Sequence, residues 1–171
     1  MLKHKLILMR HAKSDWSASG LADFDRPLSK RGRKDARRMS EWLAEQVKSP
    51  LCIISSPAQR ALQTCEFVCT ALHEDEYSLH YDDDLYDADI GDVLDVIKRH
   101  KKRESSLLII GHNPAMDDVY THLSSAAVHL SDNGKLFTTA AIATLGFDDE
   151  SISLEKKSAA TASIVRPKEL G

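Results

Sequence analysis

The sequence predicts an α/β fold in which helices pack on a largely parallel β-sheet. Short apolar runs at 5–9, 51–54 and 107–110 have the length and composition of buried strands. Segments with apolar residues at helical spacing separate these runs, and such alternation is typical of a layered α/β sheet. The chain has 171 residues, which suits one domain of this kind, so we expect residues 1–171 to form a single domain.

The first half of the chain contains two predicted strand–helix pairs. Ser29 has the position of an N-cap before a helix with apolar residues at helical spacing. Ser56 and Pro57 open the second helix, and the proline is predicted to take the first helical position. The predicted elements, in order, are a strand at 5–9, a loop at 14–27, a helix at 30–46, a strand at 51–54 and the helix from Ser56.

The second half continues the alternation and ends in strands. In the predicted helix at 89–103, aspartates come first and lysines and arginines last, an order that complements the helix dipole. The predicted elements are a strand at 79–81, the helix at 89–103, a strand at 107–110, a helix that Asn113 and Pro114 open, and two late strands at 140–147 and 152–156.

The net charge and the hydropathy of the chain argue against nucleic acid and membranes as partners. The formal net charge is −3, with 23 basic and 26 acidic side chains, whereas a duplex-binding domain is normally basic. We therefore expect no nucleic-acid partner. No apolar run approaches the roughly 20 residues that span a bilayer, and no cleavable leader pattern precedes the first strand. We expect no membrane association and a cytoplasmic location.

Three predicted strands end in residues that suit an anionic ligand. The first releases Arg10 and His11, the second is followed by Arg60 in the first turn of a helix, and the strand at 107–110 is followed by His112. Because ligands of parallel α/β sheets bind beyond the carboxyl ends of the strands, these side chains are candidates for one site. Two of the strand ends also lead into helix N-termini, which favour anions.

Phosphoryl transfer is the chemistry that fits two arginines and two histidines. An arginine fork grips two phosphoryl oxygens at once, and fixed cations stabilise the charge that spreads over them in the transition state. The sequence has no Gly-rich phosphate loop, no Cys-x5-Arg motif and no Gly-x-Ser-x-Gly motif. A neutral imidazole is then the expected nucleophile, and flanking arginines should lower the pKa of that imidazole.

Four segments together resemble the histidine phosphatase superfamily, which includes the cofactor-dependent phosphoglycerate mutases. They occur in the family's order from about residue 6 to residue 123, and the short chain is most similar to the SixA-like phosphohistidine phosphatases. The segments are 8–12 (LMRHA), 25–32 (DRPLSKRG), 55–64 (SSPAQRALQT) and 111–114 (GHNP).

The resemblance implies a fold and a set of roles. The fold would be a three-layer α/β/α sandwich of the phosphoglycerate mutase-like type. His11 would accept the phosphoryl group, and Arg10, Arg60 and His112 would hold its oxygens, with Asn113 as a further substrate-binding residue. No metal and no cofactor would be required.

Two positions depart from the family pattern. Ala12 stands where the family signature has glycine, and an alanine would be strained by about 1 kcal/mol or more if the backbone there needed positive φ. Many relatives use a glutamate to protonate the leaving group, and the nearest match here is Asp87, with Asp84 and Asp89 nearby. The alternative interpretation of this acidic segment is a loop and helix cap.

These observations favour a phosphatase that acts on phosphohistidine in a signalling protein, such as a histidine phosphotransfer domain. Two alternatives remain open from the sequence. One keeps the chemistry but uses a small metabolite phosphate ester as substrate. The other is a non-catalytic phosphate-binding module. A compact chain of this kind is expected to be a monomer.

Overall fold

A six-stranded sheet forms the centre of the molecule. The computed structural model describes residues 2–17, 19–48, 50–101 and 106–171, and the following statements concern those residues. The strands lie in the order β3-β2-β4-β1-β5-β6. Their bounds are β1 His4–Arg10, β2 Leu51–Ser55, β3 Tyr77–Tyr81, β4 Ser106–Gly111, β5 Ile142–Phe147 and β6 Thr161–Val165.

The prediction of a largely parallel sheet is confirmed. Strand β4 lies between β1 and β2 and runs parallel to both, and β3 is parallel to β2. Strands β5 and β6 extend the other side as an antiparallel pair. The carboxyl ends of β1, β2 and β4 therefore meet at one edge, where parallel sheets bind their ligands.

Helices cover both faces of the sheet, so the fold is a three-layer α/β/α sandwich, as the family resemblance implied. On β1, Ile7 and Met9 pack into a core with the first two helices, whereas Leu6 and Leu8 pack into a second core with the other two. This alternation follows from the two-residue period of a strand that is buried on both faces. The helices are α1 Lys30–Gln46, α2 Gln59–Ala71, α3 Ile90–His100 and α4 Ala115–Leu123, and short 3₁₀ turns occur at Asp23–Asp25, Glu74–Glu76, Asp83–Leu85 and Pro167–Leu170.

Side-chain caps set the starts of two helices. Ser29 is the N-cap of α1, as predicted, and its hydroxyl accepts a hydrogen bond from the Gly32 amide at 3.0 Å. Asp89 caps α3 by accepting from the Asp92 amide, and the Asp92 carboxylate accepts from the Asp89 amide in return. These bonds satisfy amide groups that the first turn of a helix leaves unpaired. No helix in the described ranges has the length and apolarity to cross a bilayer.

The prediction that Pro57 opens α2 is wrong. The helix begins at Gln59, and Ala58 is its N-cap with ψ of 140°. The preceding turn is held by other bonds, because the Ser56 amide donates to the carbonyl of Ile110 and the Ala58 amide donates to the Ser56 hydroxyl. The turn keeps Ser56 at the end of the sheet, where its hydroxyl reaches the site described below.

The prediction of a last strand at 152–156 is also wrong. The final strand is β6, and 152–156 belongs to the connection before it. Ile152 is fully buried, and its carbonyl oxygen accepts a hydrogen bond from Lys101 Nζ at 3.0 Å, so the segment packs as a loop instead of pairing with β5. The predicted helix at 89–103 is observed as α3, and its residues 102 and 103 lie outside the described residues.

Candidate active site

His11 directly follows β1, and its hydrogen bond defines the state of its ring. Nδ1 lies 2.7 Å from the carbonyl oxygen of Ala12. Because a carbonyl can only accept, Nδ1 carries the hydrogen and Nε2 carries the lone pair. Burial lowers the pKa of His11 to about 3, with smaller contributions from His112, Arg60 and Arg10, and the bond to Ala12 opposes the shift. The ring is therefore a neutral imidazole with an unprotonated Nε2 near neutral pH.

The backbone around His11 is anchored on three sides. The His11 amide donates to the Gly111 carbonyl at 3.0 Å, and the His11 carbonyl accepts from the Ala140 amide at 3.1 Å. The Ala12 amide donates to Thr64 Oγ1 at 3.0 Å. Ala12 does not adopt positive φ, and its methyl group is fully buried in the core beneath α1 and α2. The strain expected from alanine at this position is absent, because the turn does not use the left-handed region.

His112 lies beside His11 at the end of β4. The two ring centroids are 5.1 Å apart, and His112 Nε2 is 2.7 Å from Ser56 Oγ. The Ser56 hydroxyl accepts from the Ala58 amide and can still donate its own hydrogen to His112 Nε2, an arrangement in which the ring hydrogen lies on Nδ1. Burial lowers the pKa of His112 to about 4, with Arg60 and Arg10 adding to the effect and Asp23 opposing it. Both histidines are thus neutral.

Arg10 is held at the site by one carbonyl group. Its Nη1 donates to the carbonyl of Phe137 at 3.0 Å, and Asn113 Nδ2 donates to the same oxygen at 3.2 Å. The Phe137 amide in turn donates to Asp117 Oδ1 at 3.0 Å. Burial lowers the pKa of Arg10, and the charge of Asp117 opposes that shift. A long-range contact across 127 residues therefore orients the first arginine.

Arg60, in the first turn of α2, is engaged by Asp23. The Arg60 side chain is 8% exposed, and its Nη1 donates to the Asp23 carbonyl at 2.8 Å and its Nη2 to Asp23 Oδ2 at 3.1 Å. Tyr86 also donates to Oδ2 at 2.7 Å, and this bond is the main reason that the pKa of Asp23 is lowered. The Tyr86 ring lies 5.7 Å from the His112 ring. Asp23 and Tyr86 thus close one side of the site.

Three buried nitrogens around His11 have no hydrogen-bond partner among the described residues. They are Arg10 Nε, Arg60 Nε and His112 Nδ1. Leaving a buried donor unpaired costs about 1–3 kcal/mol, so natural structures retain such groups mainly where a function uses them. Two guanidinium groups, together with an imidazole N–H in the tautomer that accepts from Ser56, match the acceptor oxygens of a phosphoryl group.

Asp87 makes no hydrogen bond or ion pair with this cluster among the described residues. Its side chain is exposed, its φ is +55°, and among the described residues its carboxylate makes no hydrogen bond or ion pair. The neighbouring residue Tyr86 contacts His112 instead. The assignment of Asp87 as leaving-group acid stays a prediction. In the described ranges, no three His, Cys, Asp or Glu side chains are grouped to hold a metal ion.

Sequence reasoning missed Asp23, Tyr86, Ser56 and the Phe137 carbonyl as parts of the site. Asp23 lies in the segment 14–27, which was predicted only as a loop, and the Phe137 contact uses backbone that has no sequence signature. Ser56 was noted as a helix start, and Tyr86 stands next to the predicted Asp87. The signal in the sequence that could have identified Ser56 and Tyr86 is that each lies next to a predicted site segment.

The chain belongs to the histidine phosphatase superfamily. The family model "Histidine phosphatase superfamily (branch 1)" matches residues 6–98. This match and the SixA structures described next support phosphatase activity.

The chain is similar to solved SixA structures over nearly its whole length. The protein histidine phosphatase SixA in complex with tungstate has a TM-score of 0.77 and 25% identity, over 98% of this chain and 99% of that one. A putative phosphohistidine phosphatase SixA from Agrobacterium tumefaciens has a TM-score of 0.74 and 29% identity, over 88% of this chain and 97% of that one.

Sequence relatives include proteins without a described activity. An uncharacterized protein of Mycobacterium tuberculosis strain H37Rv is 34% identical over 117 residues, which is 68% of this chain and 70% of that protein. An uncharacterized chloroplastic protein of Arabidopsis thaliana is 29% identical over 137 residues, which is 75% of this chain. The match spans 63% of the length of the Arabidopsis protein.

Proposed function

We propose that this chain hydrolyses phosphohistidine on a protein, with His11 Nε2 as the phosphoryl acceptor and no metal ion. The observation that carries the proposal is the 2.7 Å hydrogen bond from His11 Nδ1 to the Ala12 carbonyl. This bond leaves the lone pair on Nε2, and burial keeps the ring neutral. A neutral imidazole nitrogen with an oriented lone pair is a competent nucleophile toward phosphorus.

In the first step, the phosphoryl group of the substrate binds between Arg10, Arg60 and His112. His11 Nε2 forms a bond to phosphorus as the P–N bond to the substrate imidazole breaks, and the leaving nitrogen takes a proton from a water molecule. The hydroxide that remains is neutralised by the proton that the attacking water releases in the second step. The negative charge on the equatorial oxygens is stabilised by the two guanidinium groups and by the His112 Nδ1–H. Fixed donors suit this step because they are already oriented before the reaction.

In the second step, a water molecule attacks the phosphorus of phospho-His11. The P–N bond to Nε2 breaks, inorganic phosphate forms, and neutral His11 is restored. The same donors stabilise the second transition state, since the phosphoryl group does not leave its place between them. The sum of the two steps is phosphohistidine plus water giving histidine plus phosphate.

The protonation states around the site favour an imidazole leaving group over an alcohol. Asp23 has a lowered pKa because Tyr86 and Arg60 stabilise its carboxylate, so it carries no proton to donate near neutral pH. His112 is neutral, with a pKa lowered to about 4, and Asp87 is exposed and makes no hydrogen bond or ion pair with the cluster among the described residues. A labile P–N bond needs less acid assistance than an alkyl ester does. This supports phosphohistidine as substrate and makes small metabolite esters poor ones.

Intact-mass spectrometry after a brief pulse with phosphoramidate tests the acceptor. The sample is quenched at alkaline pH, where phosphohistidine survives. Wild type should gain one phosphoryl group and release phosphate, and His11→Ala should do neither. His129→Ala is the matched control, because it removes an exposed histidine outside the site and should behave as wild type.

Three results would count against the proposal. A phosphoryl adduct on the His11→Ala protein would place the acceptor elsewhere. If wild type neither forms an adduct nor releases phosphate from phosphoramidate or a phosphohistidine peptide, the chain would be a phosphate-binding module. Faster hydrolysis of glycerol phosphate than of a phosphohistidine peptide would assign the small-ester substrate instead.

A further inference from the structure

The start of α1 concentrates positive charge on an acidic protein. Residues 30–38 contain six of the 23 basic side chains and one of the 26 acidic ones, so the rest of the chain carries a net charge of −8. Five of the six basic side chains are exposed: Lys30, Arg31, Arg33, Lys34 and Arg37. The exposed side chains at the start of α1 therefore form a basic area on a protein whose net charge is negative.

Helix stability does not explain this arrangement. The N-terminus of a helix favours acidic side chains and disfavours cations, yet the first turn of α1 contains no acidic residue. Arg31 approaches Asp35 at 3.7 Å, and Arg33 donates to the Leu28 carbonyl at 2.9 Å. Lys30 and Lys34 make no ion pair within the described residues. The cations cost helix stability, so they point to a role outside the helix.

The basic turn of α1 lies directly against the segment that follows His11. The carbonyl of Lys13 accepts hydrogen bonds from the Ser29 amide at 2.9 Å and the Ser29 hydroxyl at 3.2 Å. A Cβ atom at Gly32 would lie only 2.0 Å from the same carbonyl oxygen, so helix and segment are in close contact. Lys13 itself is exposed and only two residues from the phosphoryl acceptor. The basic area therefore borders the active site.

An exposed tryptophan follows Lys13, in a segment that pairs with the residues just before α1 through the Asp15 amide and the Pro27 carbonyl. Trp16 is 74% exposed, and its ring is held by the Arg26 guanidinium, which lies 3.5 Å from the ring centroid. Arg26 is itself fixed by Asp23 Oδ1 at 2.8 Å and by the Ser14 hydroxyl at 3.2 Å. An aromatic side chain that is both exposed and oriented is typical of a protein-binding surface, where Trp and Arg contribute most of the binding energy.

We propose that these residues form a docking surface for an acidic segment of the phosphohistidine-bearing protein. This α1 docking surface comprises Lys13, Trp16, Lys30, Arg31, Arg33 and Lys34. The proposal rests on the function proposed above and adds the kind of partner that the site accepts. Charge complementarity supports it, because the basic area adjoins the active site and would orient an acidic partner toward His11 while the acidic remainder of the chain repels it.

A charge-reversal pair tests the surface without destabilising the fold. The variant Lys30→Glu/Lys34→Glu places acidic residues in the first turns of α1, where the helix dipole favours them, so its melting temperature should be unchanged or raised. The matched control is Lys3→Glu/Lys5→Glu, which makes the same charge change at the amino end of β1, at the opposite edge of the sheet. Both lysines of the control are exposed.

The substrates are two synthetic phosphohistidine peptides of equal length, one flanked by glutamates and one by serines. For wild type and control, kcat/KM should be about 10-fold higher for the acidic peptide at low ionic strength, and the preference should shrink as salt screens the charges. In Lys30→Glu/Lys34→Glu the preference should vanish or reverse. Trp16→Ala should raise KM for the acidic peptide while kcat stays within the range of wild type.

The outcomes separate this proposal from the proposed function. Equal kcat/KM for the two peptides with wild type, or a preference that survives in Lys30→Glu/Lys34→Glu, would overturn the docking surface. Hydrolysis of phosphoimidazole, which is too small to span the surface, measures the active site alone. Failure of wild type on phosphoimidazole and on both peptides would overturn the proposed function. Binding to phosphatidylserine vesicles in preference to the acidic peptide would assign the surface to a membrane instead.

Discussion

Wild type should lose about 3 kcal/mol more of its free energy of unfolding on acidification than the His11→Asn variant does. The pKa of His11 is lowered to about 3 in the folded protein, against an ordinary value of 6.5. Between these values the unfolded chain binds a proton that the folded protein excludes, so the free energy of unfolding rises with pH across this window and is level above it. At about pH 4.5 this group lowers the free energy of unfolding by about 3 kcal/mol relative to about pH 7.5.

The assay is urea unfolding of wild type and His11→Asn at both pH values. Asparagine does not titrate, and its Nδ2 can still donate to the Ala12 carbonyl. Any packing cost of the substitution is present at both pH values and cancels in the difference of differences. His112, whose pKa is lowered to about 4, acts in the same direction in both proteins and so largely cancels too. His129→Asn is the control and should follow wild type.

Equal pH dependence of wild type and His11→Asn would refute the reasoning. It would mean that His11 is protonated at similar pH in the folded and unfolded protein, and then the site would not hold a neutral imidazole. Because the nucleophile assignment depends on that neutral ring, the same result would weaken the proposed mechanism. If His11→Asn lost more stability than wild type between about pH 7.5 and about pH 4.5, the effect would have the opposite sign and would also refute the reasoning.

Two further substitutions test the supports of the site. Asp23→Asn should tighten the binding of inorganic phosphate about fivefold, because it removes roughly 1 kcal/mol of repulsion from a half-exposed carboxylate that engages Arg60. Isothermal titration calorimetry would measure this affinity. Weaker binding would mean that Asp23 instead orients the arginine. Gly32→Ala should destabilise the protein by about 1–3 kcal/mol and slow phosphohistidine hydrolysis, since its Cβ would lie 2.0 Å from the Lys13 carbonyl. Gly91→Ala is the control, because its Cβ would meet only the Asp89 carboxylate at 3.2 Å, and it should change stability by less than about 1 kcal/mol. Equal effects of Gly32→Ala and Gly91→Ala would exclude the contact with Lys13 as the cause.

The layered fold could be predicted because its signals are local. A run such as 107–110 is apolar on both faces, and only a strand covered on both sides buries all of it. The end of such a strand then identifies the edge at which His112 lies. The prediction of a strand at 152–156 was wrong because a short apolar pattern does not show whether a neighbouring strand is available for pairing.

The arrangement of the site required tertiary contacts. Arg10 is oriented by a backbone carbonyl 127 residues away, and backbone acceptors have no residue type that a sequence could display. Asp23 meets Arg60 and Tyr86 only because a surface loop folds over the end of the sheet. The strain expected at Ala12 depended on a backbone angle, which the sequence also does not specify.

The sequence by itself determined the α/β class, the order of its main elements and the two arginines and two histidines at the strand ends. Hydrophobic period, caps and strand ends are properties of neighbouring residues, so they can be read along the chain. Only the tertiary structure decided which ring nitrogen of His11 is free, which carbonyl orients Arg10 and which carboxylate engages Arg60. Those properties depend on burial and on hydrogen bonds between distant segments, and both exist only once the chain is folded.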